Sequence, residues 1–66
     1  MDITVNGQQR TVATTTSLAD LLAAMNLNPQ RVAVEHNGTI LSQADFATTT
    51  LGDGDKLEIV SFVGGG

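Results

Sequence analysis

The chain has 66 residues, 41% of them hydrophobic, which bounds it to one small domain with one modest core. Three Lys and Arg against seven Asp and Glu give a formal charge of −4, so nucleic acid and acidic membrane surfaces are disfavoured partners. With no cysteine and a single histidine, it cannot be a disulfide-stapled scaffold, a thiol enzyme, a cysteine-ligated zinc domain or a histidine-rich metal site.

Met1 to Asn6 alternates apolar and polar residues with period two, the pattern of a half-buried strand. Asn6-Gly7 favours the positive φ angles of a tight hairpin turn, so a polar edge strand is expected to return over Arg10 to Ala13. A helix follows. Ser17 and Asp20 have the spacing of a capping box, and Leu18, Leu21, Leu22 and Met25 fall on one helical stripe. Asn26 suits the left-handed position just past the helix, and Pro29 prevents its resumption.

Val32 to His36 reads as a third strand with Val32 and Val34 inward. Asn37-Gly38 marks a second hairpin turn, followed by a short strand over Thr39 to Leu41. Ser42 and Asp45 repeat the capping-box spacing, which predicts one helical turn over Ser42 to Phe46. Thr48 to Thr50 is expected to be irregular and solvated. Gly52-Asp53-Gly54-Asp55 then turns the chain into a last strand, Lys56 to Val63.

A hairpin, a helix, a hairpin, one helical turn and a strand make an α+β fold. The helix must bury its stripe against one face of a mixed sheet of four to five strands, with the apolar last strand central and parallel to the first. That is the β-grasp, or ubiquitin-like, architecture. It assigns residues 1–63 to one domain and residues 64–66 to a flexible glycine tail.

Two features point to function. In the last strand Leu57 and Ile59 point one way, and Val60 and Phe62 the other. A sheet covered on one side needs only one apolar face, so Val60 and Phe62, with Val63, are expected to form a partner surface. The second feature is Gly64-Gly65-Gly66. At an average glycine usage of about 7%, a terminal Gly-Gly arises by chance in roughly one chain in 200. Without side chains, Gly64 and Gly65 form a thin thread that can enter a narrow enzyme tunnel and place the Gly66 carboxylate there.

The Asn6-Gly7 turn, the Ser17-Leu18-Ala19-Asp20-Leu21-Leu22 helix start, the Gly52-Asp53-Gly54-Asp55 turn and the Val63-Gly64-Gly65-Gly66 end together resemble the small sulfur carrier proteins of thiamine biosynthesis. The resemblance runs over the whole chain. It departs from the family's frequent Val-Pro-Arg at Leu41-Ser42-Gln43, which bears on the local path near Ser42.

The resemblance implies that a ubiquitin-activating-like adenylyltransferase uses ATP to convert Gly66 into an acyl-adenylate. A persulfide donor of the cysteine desulfurase or rhodanese type would then make the Gly66 thiocarboxylate, which gives up its sulfur in a thiazole synthase. ATP and metal chemistry would belong to the partners, and the carrier itself would need no cofactor. Three competing expectations are a carrier for another pathway such as molybdopterin, a protein modifier conjugated through Gly66, and a plain binding module.

Other residues are read as structural. His36 has no second histidine or cysteine to pair with and is expected to be a solvated turn residue. Asp53 and Asp55 lack the remaining ligands of a calcium loop and are expected to serve their turn. Ser17 and Ser42 suit capping, with no plausible base to make either a nucleophile. Lys56, the only lysine, is expected to be solvated, and Gly52 and Gly54 match no phosphate loop. A thin core leaves little room for a catalytic pocket, so the chain is not expected to be an enzyme. No run is apolar enough to span a bilayer and no signal segment opens the chain, so a cytoplasmic monomer is expected.

Overall fold

The computed structural model describes residues 1–62; the expected Val63 interface residue and the Gly64, Gly65 and Gly66 tail lie outside them. The elements run β1 (Asp2–Val5), β2 (Gln8–Thr11), α1 (Leu18–Ala24), a 3₁₀ turn (Pro29–Arg31), β3 (Val32–His36), β4 (Thr39–Leu41), a second 3₁₀ turn (Gln43–Asp45) and β5 (Lys56–Ser61). They build one five-stranded sheet in the order β2-β1-β5-β3-β4. The last strand is central, parallel to β1 and antiparallel to β3, as the β-grasp expectation requires.

Both hairpins turn on Asn-Gly pairs, with φ of 51° and 81° at Asn6 and Gly7 and 50° and 86° at Asn37 and Gly38. Positive φ at both central residues matches the twist of the flanking strands. A two-residue turn sets Val5 opposite Gln8, so β2 occupies Gln8–Thr11 and not Arg10 to Ala13. The polar Gln8-Gln9-Arg10-Thr11 run carries little apolar pattern, because an edge strand beyond the helix buries nothing.

The start of α1 leaves no amide unpaired. The Ser17 hydroxyl accepts from the Asp20 amide at 3.1 Å, and the Asp20 carboxylate accepts from the Ser17 amide at 3.2 Å, closing the capping box. The Leu18 and Ala19 amides donate to the carbonyls of Thr49 and Phe46, and the Leu21 amide donates to Ser17. At the other end Asn26 turns at φ 58°, while its amide and that of Leu27 donate to Ala23 and Leu22. This pair of bonds is a Schellman motif, and it stops the helix after seven residues.

Leu18, Leu21 and Leu22 pack on Ile3, Val5, Val32, Val34, Leu57 and Ile59 from the sheet. The long connection after β4 contributes Phe46 and Leu51, both buried. Thr48 to Thr50 is irregular as expected, yet it is pinned. Thr50 bridges Ser17, and the Leu51 amide donates to Thr16. The second helical turn forms without the expected capping box. The Ser42 hydroxyl donates to the Asp45 carboxylate at 3.1 Å and caps no amide.

Candidate functional site

Strand alternation gives the sheet one face under α1 and one open face. On β5, Leu57 and Ile59 are buried, while Val60 and Phe62 are 60% and 54% exposed. The exposure expected of Val60 and Phe62 is thus present at both residues. The Phe62 amide donates to the Arg31 carbonyl at 2.7 Å, so strand-like pairing continues past Ser61 to the end of the described chain. The expectation of a last strand reaching Val63 is tested only to this point.

The sequence reading missed a third apolar residue on this face. Ile40 of β4 is 77% exposed and stands in register with Glu35 of β3. Its signal was the alternation of Ile40 with the half-buried Leu41, which is hard to read in a three-residue strand. Glu35 in turn is in register with Glu58 of β5, and Ala33 with Val60. These five side chains, Ala33, Glu35, Ile40, Glu58 and Val60, line an open cleft of about 200 Å³. Its walls are aliphatic and its charged groups are carboxylates.

The turn before β5 is built from polar contacts that sequence reasoning only partly foresaw. Asp53 accepts the Asp2 amide through Oδ1 at 2.8 Å. Asp55 accepts from the Gly52 amide at 2.7 Å and from Asn37 Nδ2 at 3.0 Å. His36 is not a solvated turn histidine: its Nε2 lies 2.7 Å from Asp55 Oδ2, and both side chains are largely buried. Pairing of β3 with β5 brings together two residues that are 19 apart in sequence, which no local pattern records. Burial pushes the Asp55 carboxyl up, but the bonds from Asn37, Gly52 and His36, with the His36 charge, outweigh it and hold the group below its ordinary value.

Among the described residues no group of three or more His, Asp or Glu side chains could hold a metal ion. No described helix is long and apolar enough to cross a membrane. What the described residues present is an open, apolar-walled patch on the sheet whose charged groups are carboxylates, with β5 and β3 at its centre.

The sequence matches the model of the ThiS family over residues 3–66. It is 42% identical to the sulfur carrier protein ThiS of Bacillus subtilis over 52 residues, 79% of each chain. It is 38% identical over all 66 residues to a thiazole synthase of Paramagnetospirillum magneticum, of whose length the chain spans about a fifth, 20%. The crystal structure of a thiamine biosynthesis protein (ThiS) from Geobacter metallireducens superposes with a TM-score of 0.84 at 40% identity, covering the whole of both chains.

Proposed function

The chain belongs to the ThiS family, and we propose that it is a sulfur carrier of thiamine biosynthesis, loaded at Gly66 and unloaded in a thiazole synthase. The observation that carries this reading is a family match reaching through Gly66 in a chain whose central strand lies on an exposed apolar face. The tail presents the reacting atom and the face binds the enzymes that act on it.

A carboxylate is a poor electrophile, so loading begins with activation. The Gly66 carboxylate attacks the α-phosphorus of ATP in a ubiquitin-activating-like partner, releasing pyrophosphate and forming an acyl-adenylate. The terminal sulfur of a protein persulfide then attacks the acyl carbon and AMP leaves. Cleavage of the resulting sulfur–sulfur bond by a thiol leaves a thiocarboxylate on Gly66. That anion is nucleophilic at neutral pH and donates its sulfur to the thiazole precursor. With no cysteine in the chain, and with Met1 and Met25 as unreactive thioethers, Gly66 is the position at which transferable sulfur is carried. Nucleotide and metal chemistry belong to the partners, and this chain acts as substrate and adaptor without catalysis of its own.

Val60, Phe62 and Val63 form the contact with the adenylating partner, and Gly64 and Gly65 thread into its active site. The thiazole synthases that contain a segment similar to this chain support a thiazole synthase as the acceptor. The test is the intact mass of the protein purified from its own cells. A species heavier by the difference between sulfur and oxygen, mapped to the peptide ending at Gly66, is the expected result. Unmodified protein after incubation with extract, ATP and a sulfur source, or conjugates of higher mass, would overturn it.

A further inference from the structure

The open sheet face contains an arrangement that the carrier reading leaves unexplained. Glu35 and Glu58 are register partners on β3 and β5, so two carboxylates stand side by side in the middle of an aliphatic patch. Like charges directly opposite one another in a sheet are destabilising. Among the described residues neither carboxylate takes a hydrogen bond or an ion pair; the ion pair found there is His36–Asp55. Ile40 and Val60 flank the pair, and Ala33 completes the wall. Glu58 is already half-buried in the free protein.

A partner that covers Ile40 and Val60 must also take Glu35 and Glu58 out of water. Leaving buried carboxylates uncompensated costs more than the apolar contacts of so small a patch return. The partner must therefore bring a cation to this point. Two adjacent carboxylates match the planar, five-donor guanidinium of arginine better than the compact, strongly hydrated ammonium of lysine.

We propose that the cleft of Ala33, Glu35, Ile40, Glu58 and Val60 is the docking site for an arginine-bearing apolar surface of the thiazole synthase. This rests on the reading of a thiazole synthase as acceptor. It adds the chemistry by which that enzyme recognises the carrier body, apart from the tail. The pairing also gives specificity, because an apolar surface lacking the cation is rejected by the buried acids.

The test is calorimetric titration of the full chain into the thiazole synthase of the same organism, for the parent protein, Glu35→Gln and Glu58→Gln. Each substitution keeps the side-chain shape and removes one charge. Loss of one member of a desolvated charge pair should weaken binding by about tenfold or more. The same substitutions relieve the repulsion within the free carrier, so the thermal midpoint should stay level or rise. A stability gain with an affinity loss is a combination that a merely structural residue does not give. Parent-like affinity of both variants, alongside weakened binding by Val60→Ala, would overturn the arginine site and leave the thiazole synthase reading standing. Absence of binding by the parent protein would overturn both.

Discussion

The side-chain amide of Asn6 pairs with both main-chain groups of Ile59: Oδ1 accepts from the Ile59 amide at 2.7 Å, and Nδ2 donates to the Ile59 carbonyl at 3.0 Å. The backbone of β1 leaves β5 at this point to enter the first hairpin turn, and the Asn6 side chain replaces the departing strand. Asn37 does related work at the other turn, where its Oδ1 accepts the Lys56 amide at 2.8 Å. The two turn asparagines thus hold the central strand from both sides. The strand that presents Val60 and Phe62 is fixed at Lys56 and at Ile59 by side chains of its neighbours' hairpins.

Replacing Asn6 separates its two duties. Asn6→Gly tolerates φ of 51° but loses both bonds to Ile59, for a cost of about 1–2 kcal/mol. Asn6→Ala loses the same bonds and adds about 1 kcal/mol or more of left-handed strain. Urea denaturation should therefore order the proteins parent, Gly, Ala. Equal midpoints for the Gly and Ala variants would mean that the turn relaxes its φ freely.

The lowered Asp55 carboxyl makes stability depend on pH in a definite direction. Its folded value lies below the ordinary 3.8, so its contribution is present above about 3.8 and is lost as pH falls through the folded value. Asp55→Asn should therefore melt below the parent protein at pH 7, with the gap narrowing in acid. A gap that is constant from pH 7 to pH 2 would show that the ionised carboxylate contributes nothing.

Phe46 ties the connection after β4 to the helix twice, through its buried ring and through the carbonyl that accepts the Ala19 amide. Phe46→Ala should cost about 3–5 kcal/mol. For a domain whose whole stability is of order 5–15 kcal/mol, a large fall in the thermal midpoint should follow. A fall of only a degree or two would place Phe46 outside the cooperative core.

Phe62 is more than half exposed, so Phe62→Asp should leave the unfolding free energy within the small range of surface substitutions, about ±0.5 kcal/mol. Adenylation of Gly66 by the partner enzyme, followed as ATP–pyrophosphate exchange, should fall sharply. Parent-like exchange by this variant would remove Phe62 from the interface.

On the proposed mechanism, a residue appended after Gly66 should abolish adenylation while leaving the fold unchanged, since it blocks the carboxylate that the mechanism requires to attack ATP. Exchange activity in such an extended protein, or growth without thiamine supported by it, would sink the carrier mechanism.

What the sequence by itself determined is local. Asn-Gly pairs specify both hairpin turns, Ser17 and Asp20 close the helix start, Asn26 ends the helix, and alternation along β5 separates Leu57 and Ile59 from Val60 and Phe62. Each depends on residues within a few positions of one another, where backbone sterics and capping act directly. The central place of the last strand, parallel to the first, was also legible, because the most apolar strand takes the most protected place.

Tertiary structure alone decided the rest. Asn6 meets Ile59 across 53 residues, and His36 meets Asp55 across 19. Ile40, Glu35 and Glu58 form one row only because three strands pair in one particular register. A shift of one residue would turn each of those side chains to the opposite face. The burial of the leucine stripe, Phe46 and Leu51 in a single core selects that register, and the contents of the open sheet face follow from it.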